Sequence, residues 1–209
     1  MRARWLAAGK GAVNSRRPQL LLASASPRRR ALLRSVGIRF RAAATGVSEI
    51  VDEPCAPEHA ASIVAERKAR AAQVTARRGE WVLAADTAVV VGGARLGKPA
   101  DRGMARRMLA ALSGREHLVV TGVTLATPQG TATEVATTVV RMRELSDAEI
   151  DGYLDTGEWQ DAAGGYRIQS QGAMLVEHLA GSYSNVVGLP LERLYVMLAR
   201  AGWQVWAPE

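Results

Sequence analysis

Residues 21–30 read LLASASPRRR, an apolar strand that runs directly into two hydroxyls, a proline and three arginines. Pro27 is pre-set for the first turn of a helix and Ser26 is suited to cap it. The strand therefore hands over to a helix whose first N–H groups, together with the Arg28 and Arg29 guanidinium forks, face one spot. That spot suits an anion. Ser24 adds a hydroxyl to the same turn. A strand, turn and helix in this order open an α/β chain, and the sequence downstream keeps the alternation. The same residues also make an ordinary capped turn with solvated arginines, so the partners further along must decide.

Outward from this unit, apolar periodicity predicts strands at 19–23, 40–44, 81–91, 117–126 and 131–142, and helices at 27–36, 57–76, 101–112, 146–154 and 190–201. Ser146 and Glu149 form a capping box, and Asp101 precedes Met104, Met108 and Leu112 at helical spacing, which marks those methionines as core. The runs 117–126 and 131–142 are joined across Thr127-Pro128-Gln129-Gly130, an antiparallel hairpin, so the sheet is mixed. The glycine-rich stretch 157–172 reads as a long ordered loop. No linker divides the chain, which predicts one domain over 19–209, with two lobes, after a disordered extension over 1–18.

With 209 residues and 48% apolar content the chain can bury a real core. Its net charge of +7 is spread along the sequence and interrupted by acids, which suits polyphosphate substrates and weakens a nucleic-acid reading. A single cysteine, Cys55, excludes an internal disulfide and fits a reducing cytosol. His59, His117 and His178 lack metal-ligand spacing and read as surface or core-edge groups. No apolar run reaches the roughly 20 residues of a membrane span.

A carboxylate ends the next strong strand: Asp86 and Thr87 follow Trp81-Val82-Leu83-Ala84-Ala85. A charge in such a run is costly unless paired or metal-bound, so Asp86 is the leading catalytic candidate. Residues 92–98 spell a phosphate loop up to its last letter, but Pro99 supplies neither the hydroxyl nor the helix-opening N–H. Gly92-Gly93 reads instead as a hairpin turn that leaves Lys98 at a loop edge, within reach of a phosphate. In the helix over 57–76, Lys68 sits among alanines and turns inward, while Arg67 and Arg70 face solvent. Glu49, on a loop after a strand, offers a second carboxylate. Two carboxylates, two lysines and the Arg28-Arg29 turn are the ingredients for holding a divalent metal on a polyphosphate.

The segments LLASASPRRRALL, ERKARA, AADTAVVV, LGKPAD, LSGREHLVVTGV and GEWQDAAGGYRIQSQGAMLVEHLAGSYSNVVGLPLERL, in this order over residues 20–198, resemble the Maf family of septum-formation-inhibitor-like nucleoside triphosphate pyrophosphatases. The resemblance implies a mixed α/β fold like that of inosine triphosphate pyrophosphatases, with an elongated sheet and a cleft between two lobes. It implies hydrolysis of a nucleoside triphosphate to the monophosphate and pyrophosphate with Mg²⁺ or Mn²⁺, in the cytoplasm, in a house-cleaning role with a link to septum formation and cell division arrest, and it leaves a homodimer open. By the family pattern Asp86 is the proton acceptor, Arg28, Thr87 and Gln169 govern substrate choice, and Ser24, Arg29, Glu49, Lys68 and Lys98 match the remaining cleft positions. Residues 165–169, GYRIQ, resemble the branch acting on dTTP and UTP. A glutamine amide places a donor beside an acceptor, matching the N3–H and O4 edge of thymine or uracil. Ala162 stands where the family commonly carries lysine, which weakens a phosphate or loop contact. The competing readings are the same fold acting on 7-methyl-GTP or another modified nucleotide, and a non-enzymatic basic protein that binds nucleic acid or regulates septation.

Overall fold

A computed structural model of the chain describes residues 18–51 and 55–206. Apart from Pro18, the extension expected over 1–18 lies outside the described residues. β1 (Leu20–Leu22) consists of three fully buried leucines, and it has parallel neighbours on both sides, β2 (Phe40–Ala42) and β3 (Trp81–Val91). α1 (Pro27–Ser35) follows β1 as expected, with Pro27 in its first turn and Ser26 Oγ accepting from the Arg29 N–H at 3.5 Å. After α2 (Pro57–Gln73) the chain turns antiparallel. β4 (Ala94–Leu96) folds back on the end of β3 through Gly92 and Gly93, whose φ values of 55° and 81° are those of a type I′ turn. Beyond α3 (Arg102–Leu112), β5 (Glu116–Thr127) and β6 (Gly130–Met142) form the expected hairpin. The mixed sheet runs β2-β1-β3-β5-β6, closed by β7 (Val176–Ala180) at its far edge.

The sheet is covered on both faces. On one, α2 presents Ala69 and Ala72 to Val82, Ala84 and Ala126, and the small side chains bring helix and sheet close together. At the closest point Gly122 of β5 lies against the Ala61 and Ser62 backbone, so that even a methyl group there would lie 2.8 Å from the Ser62 nitrogen. The other face carries α1, α3, α4 (Asp147–Asp155), α5 (Tyr183–Val187) and α6 (Leu191–Arg200). α6 packs Leu194, Met197 and Leu198 on Leu83 and Leu125, and α4 packs Ile150, Tyr153 and Leu154 beside Leu109 and Val140 of α3 and β6. Asn185 of α5 is fully buried and donates to the Val119 carbonyl and to Thr138 Oγ1, both at 2.9 Å, which pins this short helix to β5 and β6.

One gap in the pairing positions the site. β1 pairs with β3 as far as Leu83, and β4 takes up the same side only from Val89. Among the described residues, 84–88 of β3 have no strand neighbour on that side. Asp86 lies in the middle of the eleven-residue strand expected over 81–91, opposite Gly122, and so does not end it.

Of the three histidines, His59 and His178 are exposed as expected and His117 needs correction. His117 is 2% exposed and its Nε2 lies 2.8 Å from Tyr166 Oη, so it is a core group. Burial pushes its imidazole from 6.5 down to about 4. Between about pH 4 and 6.5 the group is neutral when folded and protonated when unfolded, so its contribution to stability is fully present above pH 6.5 and is lost as the pH falls toward 4. Unfolding at pH 4.5 should be easier than at pH 7.5 by about 2–3 kcal/mol through this residue. Denaturant titrations at the two pH values should show His117→Asn removing most of that difference; an unchanged difference would place the acid sensitivity elsewhere.

Candidate active site

The cleft opens at the gap beside β3. Neighbouring residues of a strand point to opposite faces, yet Asp86 and Thr87 both line it, because the missing strand neighbour lets the cleft pass from one face of the sheet to the other. On the α2 side, Lys68 projects from the alanine face of the helix and is 7% exposed. Its ammonium lies 2.5 Å from Glu49 Oε1 and 2.8 Å from Asp86 Oδ1, and Arg95 Nη2 holds the other Asp86 oxygen at 2.8 Å. Asp86 is 2% exposed, so its charge is answered by two cations at hydrogen-bonding distance. Burial alone would raise the Glu49 carboxyl; the Lys68 ammonium bonded to it, with Lys98 and Arg29 nearby, outweighs that and holds it below the usual carboxylate range.

On the other side, Arg29 is 8% exposed with each nitrogen making one bond: Nε donates to the Gly188 carbonyl at 2.7 Å, Nη1 to Ser24 Oγ at 3.2 Å and Nη2 to Thr87 Oγ1 at 2.9 Å. Burial lowers its pKa, and Asp86 and Glu49 oppose that shift. Thr87 Oγ1 also lies 2.9 Å from Thr121 Oγ1. The third wall is the segment after α4. The Asp161 carbonyl accepts from Arg28 Nη2 at 2.6 Å, and its carboxylate pairs with Lys98 at 2.5 Å. Gln169 lines this wall, and its Oε1 is buried with no hydrogen-bond partner.

The cleft thus gathers lysines and arginines around two carboxylates, the arrangement that the resemblance led one to expect. The sequence profile of the Maf-like protein family matches residues 19–201. The chain belongs to the Maf family.

Among Maf relatives, the dTTP/UTP pyrophosphatase of Symbiobacterium thermophilum is 47% identical, covering 90% of this chain and 96% of its own. That of Thermus thermophilus is 45% identical, covering 92% and 100%. A solved nucleoside-triphosphatase / dITP/XTP pyrophosphatase from Mycobacterium abscessus is a more distant likeness, with 16% identity, a TM-score of 0.41, and coverage of 91% of this chain and 100% of its own.

In this Maf chain Arg28, Arg29, Glu49, Lys68, Asp86, Thr87, Lys98 and Gln169 line a single cleft. Ser24, 8% exposed, holds Arg29 and accepts from the Ser26 N–H at 3.1 Å. Arg67, expected in solvent, donates to the Ser48 and Ile50 carbonyls at 3.1 and 2.8 Å and so fixes the loop that carries Glu49. Ala162 is 2% exposed in the cleft wall, and Arg167 lines the same wall. Two partners escaped the sequence reading. Arg95 could have been found from the hairpin register: it stands opposite Val90, so it shares a face with Asp86. Asp161 carries no such signal, because its carbonyl and carboxylate meet Arg28 and Lys98 only through tertiary contacts made by a backbone at φ 56°.

Proposed function

We propose that this chain, as one catalytic domain, hydrolyses dTTP and UTP to the monophosphate and pyrophosphate. The observation that carries the reading is the Lys68 ammonium held between the Glu49 and Asp86 carboxylates inside a ring of arginines and lysines. The names of the relatives support the same reaction and the same bases.

Two carboxylate oxygens already converge on one cationic nitrogen, an arrangement that fits a hard divalent cation; such ions commonly take one or two carboxylates plus substrate phosphates. No group of three or more acidic, histidine or cysteine ligands occurs among the described residues, which leaves the remaining positions to phosphate oxygens and water. Glu49 and Asp86 would hold Mg²⁺ or Mn²⁺, which when bound neutralises triphosphate charge.

The protein groups do the rest. Asp86 accepts a proton from the water whose oxygen attacks the α-phosphorus, the bond from that phosphorus to the α–β bridging oxygen breaks, and pyrophosphate leaves with the electron pair. Lys68, Lys98 and Arg29 neutralise the charge that develops on the phosphates. Arg28, Thr87 and Gln169 orient the nucleoside, and the unpartnered Gln169 Oε1 is suited to accept the N3–H of thymine or uracil. Among the described residues no helix is long and apolar enough to cross a membrane.

Pyrophosphate release should be measured across the common nucleoside triphosphates and 7-methyl-GTP, with Mg²⁺ and with Mn²⁺. dTTP and UTP should exceed every other substrate by at least about tenfold in kcat/KM, the discrimination expected where an unmatched base leaves buried polar groups unpaired. A flat profile, or 7-methyl-GTP in first place, would overturn the assignment of the base.

A further inference from the structure

A glutamine amide turned by 180° reads cytosine as readily as uracil, accepting from N4 and donating to N3. Discrimination between them requires that Gln169 present one register only. We infer that Glu158, a residue outside the cleft, sets that register by clamping the turn that follows Gln169. The inference rests on the assignment of Gln169 to the base made above.

Ser170, directly after Gln169, has φ 76°, a left-handed conformation unfavourable for a residue with a Cβ. Something must hold it there. Glu158 Oε1 accepts from Ser170 Oγ at 2.6 Å and from the Gln171 N–H at 3.3 Å, and its Oε2 accepts from the Gly172 N–H at 3.2 Å. One carboxylate thus gathers three successive residues. The turn closes on itself at Gly172, where any Cβ would overlap the Arg167 carbonyl.

Glu158 is itself anchored. It stands three residues beyond the end of α4, and Trp159 Nε1 donates back to the Leu154 carbonyl at 3.0 Å. The Arg167 N–H donates to Tyr153 Oη at 3.1 Å, so α4 holds the recognition segment at a second point. Without the carboxylate, Ser170 relaxes toward negative φ, the peptide after Gln169 rotates, and the amide is free to take both registers.

The test is the ratio of kcat/KM for UTP over CTP in the full chain. Glu158→Ala should lower that ratio about tenfold, with the loss falling more on KM for UTP than on kcat. Glu158→Gln, which keeps the shape and one acceptor oxygen, should shift it in the same direction by a smaller factor, and it decides the matter if the alanine variant does not fold. Ser170→Gly added to Glu158→Ala should return the ratio to within about threefold of the parent, because glycine takes φ 76° without needing the carboxylate. A purely structural role for Glu158 would lower kcat/KM for both nucleotides together and would not respond to the glycine. If Gln169→Ala collapses the ratio while the Glu158 variants leave it intact, this inference fails and the base assignment stands. If Gln169→Ala also leaves the ratio intact, the base assignment fails and the inference falls with it.

Discussion

Replacing Asp86 by Asn should cut pyrophosphate release by about 100 to 10,000-fold, the loss expected when a positioned base is removed. The variant keeps the shape of the side chain and one carbonyl oxygen able to accept from Lys68, so the geometry on that side is retained. Arg95, whose side chain is 31% exposed, can turn to water when its charged partner goes. Lys68 keeps Glu49. Breaking a fully buried ion pair commonly costs about 3–5 kcal/mol, and these two compensations should hold the cost well below that. A melting curve close to that of the parent beside a collapsed rate is the expected pair of results. Turnover within about threefold of the parent would remove Asp86 from the chemistry.

The second large effect lies outside the cleft. Gly122→Ala should destabilise the fold by about 1–3 kcal/mol, because the added methyl meets the backbone of Ala61 and Ser62 and no flexible side chain is there to yield. For a chain of this size that is a fall in Tm of roughly 2–12 °C. The rate should fall further than stability alone explains. Lys68 is two helical turns along α2 from Ala61, on the same face, so a helix pushed off the sheet carries the ammonium away from Asp86. A displacement of about 1 Å in a catalytic group can cost on the order of 100-fold. Assays well below the melting temperature, with circular dichroism to verify folding, separate the two losses. If the variant melts and turns over like the parent, the Gly122 contact does not seat the helix.

These two residues illustrate what could be read from the sequence. Asp86 stood out because a charge in an apolar run demands a partner, and both its lysine and its strand were visible locally. The Gly92-Gly93 turn, the capping box at Ser146 and the strand-to-helix handover at Pro27 were legible for the same reason: each is a rule that acts over a few residues. Gly122 looked like any glycine in a strand, since its role depends on a helix that starts some sixty residues earlier. β7 was missed because Glu177 and His178 are exposed on a short edge strand that lacks clean alternation. α5 was missed because its five residues are held by tertiary bonds from Asn185 and not by periodicity. The open side of β3 beside Asp86 was invisible as well, because the gap between β1 and β4 belongs to the sheet and not to any one segment.

Arg28 reaches its partner carbonyl across 133 positions of chain, and Arg29 reaches the Gly188 carbonyl across 159. Loop closure over such spans comes late, after local helices and hairpins have formed. A polypeptide still emerging from the ribosome therefore carries its guanidinium forks long before the opposing wall exists, and a product clipped ahead of Gly188 would be inert and not half-active. Competence to cut arrives in a single step, when the last helices dock.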